Sequence, residues 1–228
     1  MQHLLSVVIL VGCLFLVHRT HAGKDKEPGL SVDQEKRTVT IPAKIAPRKL
    51  EYLKGEVYPI EVIGCWPHPR GKKAHETVIT FEVSPLEIHK AVLSLGLKPG
   101  KPVMGEGPKP PEGPEVALYL LVPQPDGSQK KLGMDKVLVD SRTGAAFPKS
   151  VKFRFTGSAM TQPNPEKEEK VYGADLSGTL AVIFPVTDQT VFQTNLTMKE
   201  EKYMKLETNT KTLPPEGTAV KLVIEVPR

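Results

Sequence analysis

Short runs in which apolar and polar residues alternate recur along the chain, and each predicts a β-strand with one buried face. Arg37-Thr38-Val39-Thr40-Ile41 alternates in this way. So does 57–63, with Tyr58, Ile60 and Val62 on one side, and 77–83, with Ile79, Phe81 and Val83 on one side. Pro59 cannot donate a ladder hydrogen bond, which places the second run at a sheet edge. Val151, Phe153 and Phe155 alternate with Lys152 and Arg154. Residues 116–122 and 179–184 are almost wholly apolar, the pattern of strands covered on both faces. Residues 136–139 and 191–196 read as shorter strands, and 220–226 as a strong final one. The stretch Gly64 to Glu76, lying between two of these runs, reads as a long hairpin-type connection.

One segment switches to helical spacing. Ser84-Pro85-Leu86-Glu87 offers a capping serine, a proline at the first helical position and a glutamate placed to complete a capping box. Ile88, Ala91, Val92 and Leu95 then recur on one face, and Gly96 stands where a C-terminal cap belongs. The spacing predicts a helix over 85–95. Thr197 and Glu200 form a second capping-box pair before a short charged segment, 197–206. The fold class that accommodates these elements is α+β, a predominantly antiparallel sheet of about eight or nine strands with one helix.

Between the helix and the next strand, 97–114 carries Pro99, Pro102, Pro108, Pro110, Pro111 and Pro114, a composition that blocks both helix and ladder. The chain opens with apolar residues 4–17, too short to span a bilayer comfortably but right for the core of an export signal. Thr20-His21-Ala22 supplies the small residues of a cleavage site, so 1–22 reads as a signal peptide, 23–34 as a flexible stub and 35–228 as a single domain. A rival processing site exists. Leu10-Val11-Gly12-Cys13 resembles a lipobox, which would lipidate Cys13 and tether the protein to a membrane. After 1–22, no apolar run reaches the length of a transmembrane helix.

The 228 residues carry a formal charge of +5, but lysines and glutamates are interspersed, as in Glu166-Lys167-Glu168-Glu169-Lys170. That pattern fits a solvated face and not a nucleic-acid-binding stripe. The two cysteines are Cys13 and Cys65. With Cys13 in the signal, Cys65 has no internal partner, so no disulfide staples the fold.

Candidate chemistry concentrates in Gly64 to Glu76. Cys65 and His68 have the i, i+3 spacing of zinc or copper ligands, and His75 and Glu76 could add a third and a fourth after a turn at Gly71. Pro67 and Pro69 restrict how that backbone can wrap an ion. The alternative reading is a Pro/Gly-bounded loop in which Cys65 and Trp66 plug the core. Arg70, Lys72 and Lys73 would lower the Cys65 pKa if they lie near it in space. No nucleophile elbow surrounds Ser158, and Gly71-Lys72-Lys73 lacks the lead-in of a P-loop.

Several motifs occur in an order that resembles a known family. These are Gly71-Lys72-Lys73-Ala74-His75-Glu76-Thr77, Ser84-Pro85-Leu86-Glu87-Ile88-His89-Lys90-Ala91, Leu95-Gly96-Leu97-Lys98-Pro99-Gly100, Phe155-Thr156-Gly157-Ser158, Tyr172-Gly173-Ala174-Asp175-Leu176-Ser177-Gly178 and Pro214-Pro215-Glu216-Gly217-Thr218. Across about 35–228 they resemble the YdjY-like domains of exported bacterial proteins, especially planctomycete ones. The resemblance implies a periplasmic or secreted protein with no firm biochemical role attached. His75, Glu76 and Asp175 fall on motif positions, and Cys65-Trp66-Pro67-His68 falls outside them. Two functional expectations follow. The first is an exported, non-catalytic domain, with no cofactor, that binds a partner protein, a cell-surface polymer or a small ligand. The second is a metal-binding or redox accessory protein that uses His75 and Glu76, with Cys65, His68 and Asp175, to hold zinc or copper.

Overall fold

A computed structural model describes residues 29–107 and 109–228. Residues 1–22, read as a signal peptide, and Cys13 among them, lie outside the described residues. The chain runs through β1 (Ser31–Asp33), β2 (Thr38–Ile45), β3 (Val62–Cys65), β4 (Thr77–Thr80), α1 (Pro85–Ser94), β5 (Glu115–Pro123) and β6 (Gln129–Gly133). It continues through α2 (Met134–Val137), β7 (Leu138–Asp140), β8 (Phe153–Phe155), β9 (Met160–Thr161), β10 (Val171–Tyr172), α3 (Gly173–Ser177), β11 (Thr179–Val182), β12 (Phe192–Thr194), α4 (Met198–Tyr203), β13 (Leu206–Thr208) and β14 (Ala219–Glu225).

Among the described residues, eight strands close on themselves in the order β2, β14, β5, β8, β12, β11, β3, β4 and back to β2. The result is a barrel with two strands added outside the ring, β1 on β2 and β6 on β5. The β-rich character matches the sequence pattern, whereas the pairing is mixed. β3 runs parallel to β4, and β11 parallel to β12. Alternation along a strand says which face is buried and nothing about the direction of the neighbour, so parallel pairs are invisible to it.

The stretch from Gly64 to Glu76 is therefore a crossover and not a hairpin connection. It leaves the end of β3, passes over the outside of the barrel and returns to begin β4 alongside, with Val62 opposite Thr77 and Gly64 opposite Ile79. Parallel neighbours require such a return, because a tight turn can only reverse the chain.

Alternation fills the barrel. Val116, Leu118, Leu120 and Val122 of β5 point inward with Leu222 and Ile224 of β14, Val39 and Ile41 of β2, and Phe155 and Phe192 of β8 and β12. β5 shows a buried face and a half-exposed one, against the expectation of two covered faces. Its apolar outer residues Tyr119 and Leu121 are only half-buried. β11 is covered on both sides: Leu180 and Ala181 join the core, while Val182 packs in a separate buried cluster with Val62 and Cys65.

The helix begins at Pro85, with Ser84 as N-cap accepting the Leu86 and Glu87 N–H groups, and it buries Ile88, Ala91 and Val92. Glu87 makes no return bond to the Ser84 N–H, so the expected capping box is not completed there, whereas the one at Thr197 and Glu200 is. Thr197 accepts the Lys199 N–H, Glu200 accepts the Thr197 N–H at 2.8 Å, and α4 follows. Residues 136–139 are not a strand throughout: α2 ends at Val137, and β7 begins with Leu138. The predicted 57–63 strand survives only from Val62 onward, since Val57 and Tyr58 stand in solvent. β1 forms within the stretch read as a stub, pairing Ser31–Asp33 with residues 38–40 of β2.

On one side of β2 lies β14. On the other side β1 ends at Thr40 and β4 begins at Lys44, leaving a step between them. The Ile45 N–H points to β14, at Thr218, and the Ala46 N–H to the β4 side, at Val78. By the same alternation Pro42 faces the step. It has no N–H to leave unpaired there. A groove of about 450 Å³ runs along this step, with Ala43, Phe81, Val83 and Val220 in its lining. Among the described residues no helix is long and apolar enough to cross a membrane.

Candidate functional site

The crossover that joins β3 to β4 carries most of the chemistry noted in the sequence. Its first residue, Trp66, is pinned from three directions. The Trp66 N–H donates to the Gly178 carbonyl at 2.8 Å, its indole Nε1 donates to the Val83 carbonyl at 2.9 Å, and the Arg70 guanidinium lies 4.9 Å from its ring centre. Two glycines close over it. A Cβ on Gly71 would meet the Trp66 carbonyl oxygen at 1.9 Å, and one on Gly178 would meet the Trp66 Cβ at 2.8 Å. The Lys72 N–H then donates to the Ser177 carbonyl at 2.9 Å, tying the far side of the loop to the end of α3.

Cys65 is fully buried, with its Sγ 3.9 Å from both the Ser177 carbonyl and the Thr179 hydroxyl. Burial pushes its thiol up to about 11, against smaller lowering effects from the Lys73 and Trp66 backbones, the Thr179 hydroxyl and the Lys73 charge. It is a plug in the barrel wall. His68 is elsewhere, exposed and stacked on Tyr52 with ring centres 4.1 Å apart.

His75 and Glu76 do meet, with Nε2 and Oε1 2.9 Å apart. The other Glu76 oxygen accepts from Lys73 at 2.8 Å, and Lys73 reaches Glu61 at 3.5 Å. Glu61 precedes β3 and Glu76 precedes β4. Because those strands are parallel and Val62 pairs with Thr77, the two carboxylates stand side by side at equivalent positions. The Glu61 N–H donates to the Glu76 carbonyl at 3.1 Å. Burial comes first among the effects that raise Glu61, followed by the Glu76 charge and a hydrogen bond to Glu76. Against the counterpull of Lys73 they bring it up to about 7. Burial works against the Lys73 charge, yet the two carboxylates outweigh it and hold its pKa above the ordinary lysine value.

Above this cluster lies a face of rings. Tyr52, Val57 and Tyr58 are 46, 43 and 37 % exposed. Tyr58 meets His75 edge-on at 5.1 Å, and its hydroxyl donates to Glu56 at 2.9 Å. That bond raises the Tyr58 pKa, with the Glu56 charge next and Glu76 and Tyr52 close enough to add to it. Arg48 carries the loop below these rings. Its guanidinium donates to the carbonyls of His75 and Tyr58 and to both oxygens of Glu207 on β13, at 2.7 and 3.1 Å. No sequence motif marked Tyr52, Tyr58, Glu61 or Arg48. The sequence offered Tyr58 only as one face of the 57–63 run and gave no sign for the other three.

Asp175 belongs to another part of the molecule. It lies on α3 and accepts the Ser84 hydroxyl at 3.1 Å and the Leu86 N–H at 2.9 Å, so it completes the N-terminus of α1. Nearby, the Tyr172 hydroxyl accepts the Ser158 N–H at 3.2 Å and bonds His89 Nδ1 at 2.8 Å. Burial lowers the His89 pKa and raises that of Tyr172, both in keeping with uncharged rings. The Ser158 hydroxyl accepts the Ala174 N–H at 2.9 Å.

Of the five residues considered as zinc or copper ligands, only His75 and Glu76 touch. Cys65 faces α3 and β11 inside the wall, His68 lies on Tyr52, and Asp175 caps α1. Lys73 places a positive charge on the Glu76 carboxylate, where a metal ligand would need a free lone pair. Among the described residues, no three His, Cys, Asp or Glu side chains are grouped so as to hold an ion.

Most of the motifs that carried the family resemblance converge in space. The 71–77 segment bonds to the end of α3, α3 caps α1, and Ser158 and Tyr172 join α3 to His89. Residues 30–225 match the family model of the YdjY domain. No curated protein and no solved structure matches the chain.

Proposed function

The chain belongs to the YdjY domain family, and from that premise we propose that it is an exported, non-catalytic binding domain that takes a cell-surface polysaccharide on its exposed ring face. One observation carries this reading: Tyr52, Val57, Tyr58 and His68 are all exposed on two adjoining loops of a barrel whose interior is filled. A clustered patch of exposed apolar surface marks an interaction site. Flat amphipathic rings suit a partner that is apolar on one side and polar at its rim. A sugar ring has that form, with a C–H face to lie against tyrosine and hydroxyls for nearby polar groups such as Glu56 and Lys54.

The chemistry of the remaining groups favours binding over catalysis. The Cys65 thiol is buried and held far from its thiolate form, which removes its nucleophilicity at neutral pH. Ser158, Tyr172, His89 and Asp175 are each engaged in bonds that join α1 to α3.

The test is calorimetric titration of the purified protein with a panel of soluble cell-wall and capsular polysaccharides, repeated with Tyr52→Ala and Tyr58→Ala. Each substitution should weaken binding about tenfold or more with the circular dichroism spectrum unchanged. Binding that ignores both substitutions, or no binding across the panel, overturns the reading.

A further inference from the structure

Two glutamates placed side by side by parallel strands, with one lysine between them, form an arrangement the binding reading does not use. Opposed like charges on neighbouring strands destabilise a sheet, and one Lys73 ammonium cannot neutralise two carboxylates. A proton on one of them removes the conflict: the protonated group donates to its neighbour, and Lys73 pairs with the charge that remains. We propose that this proton is the latch of the 66–76 crossover, keeping the loop closed on the barrel and loosening it when the proton leaves.

The geometry gives the latch its leverage. Glu61 is anchored to the barrel, where the Ile183 N–H donates to its carbonyl at 2.8 Å. Lys73, His75 and Glu76 all belong to the crossover. When Glu61 is neutral, the Lys73–Glu76 pair is balanced and His75 holds the second Glu76 oxygen. When Glu61 ionises, it repels Glu76 and competes with it for Lys73, so the base of the crossover is pushed away from β3. Tyr58 rests on His75 and Tyr52 on His68, so the ring face moves with the crossover.

The charged and titratable groups around the pair are few. From the crossover come Lys73 and His75. From the 50–61 segment come Tyr52, Tyr58 and Glu56, and from β3 the Cys65 thiol. Arg48 touches the His75 carbonyl, with its charge directed to Glu207 of β13. Burial and Glu76 keep Glu61 protonated up to about 7, against Lys73, so the latch works near neutrality. His75 touches Glu76 as well, and the experiment separates its part from that of Glu61.

The test uses the protein labelled with ¹³C at the glutamate carboxyl carbons and followed by NMR from pH 4 to 9. Glu61 should titrate with a midpoint near 7. A Glu61 carboxyl that titrates below pH 5 overturns the latch. Trp66, the single tryptophan, opens the crossover and serves as its reporter: its emission should shift over the same pH interval. Glu61→Gln, which keeps the size and hydrogen-bonding reach of the side chain, should abolish that shift, and His75→Gln should retain it. A shift that persists in Glu61→Gln, or vanishes in His75→Gln, overturns the proposal. These readouts report protonation and loop position, so they decide the latch whether or not a polysaccharide binds.

Discussion

Asp175 caps a helix that starts far from it in the chain: its Oδ1 accepts the Leu86 N–H at 2.9 Å, across a separation of 89 residues. Ser84 caps the same end from the position just before the helix and also donates its hydroxyl to Asp175. The negative carboxylate at an α-helix N-terminus gains from the exposed N–H groups and the aligned peptide dipoles. Asp175→Ala should lower unfolding stability in urea by about 1–2 kcal/mol. The double variant with Ser84→Ala should lose less than the sum of the two singles, because the groups share one network. Strict additivity would show that they act separately.

The Cys65 thiol should resist modification in the folded protein. With burial raising it to about 11, both access and thiolate fraction are low at pH 8. Ellman's reagent should react slowly in buffer and promptly in denaturant. A prompt reaction in buffer would place the thiol at the surface.

Glycine at 71 and 178 permits the close approach of two segments to Trp66. Gly178 also has φ of +69°, where it caps α3 in the left-handed conformation. Gly71→Ala would place a methyl group 1.9 Å from the Trp66 carbonyl oxygen, so the crossover must shift. Each Gly→Ala should cost more than about 1 kcal/mol and should change Trp66 emission, which a destabilisation distant from the crossover would not.

Arg48 and Glu207 give the opposite pH sign from Glu61. Burial opposes the Glu207 charge, but the Arg48 hydrogen bonds prevail and hold its pKa below the ordinary glutamate value. That stability is present above about pH 4.5 and is lost as the pH falls through the folded-state value. Arg48→Met should reduce the acid-side loss in a series of urea melts. Arg48→Lys should recover only part of the stability, since an ammonium cannot bond both carboxylate oxygens and two carbonyls at once.

Glu61 acts in the other direction. Its folded-state value is raised, so its contribution is complete below about pH 4.5 and is lost as the pH rises through about 7. Glu61→Gln should flatten that decline by about 1–2 kcal/mol, a figure reduced for the solvent the carboxyl still meets. An unchanged slope between pH 5 and 8 would mean the group is ionised throughout.

Local signals in the sequence located what local interactions build. The Ser84 cap, Pro85 and the Ile88-Ala91-Val92 spacing define α1, and Thr197 with Glu200 define the start of α4. Alternation marked the inward faces of β2 and β8. Barrel closure was not legible, because it depends on β4 returning to β2 and on two parallel pairings, and neither leaves a periodic trace. The same limit hid the site. Glu61 and Glu76 are fifteen positions apart and become neighbours only when β3 and β4 align. Asp175 had no visible partner until α3 met α1. His75 and Glu76 were found as a pair for their ligand chemistry, but the group that answers Glu76 is Lys73, which the sequence offered only as a charge near Cys65.

Pro42, facing the step between β1 and β4, has a consequence for the protein in a crowded compartment. A strand edge with free N–H groups is a template on which another chain can grow. Here the ring has joined its own edges, and at the step beside β2 the outward-facing backbone position carries a tertiary amide nitrogen with no hydrogen to give. Pro42→Ala would restore that donor beside an apolar groove. The altered protein should form sheet-paired dimers or higher aggregates at concentrations where the original remains dispersed.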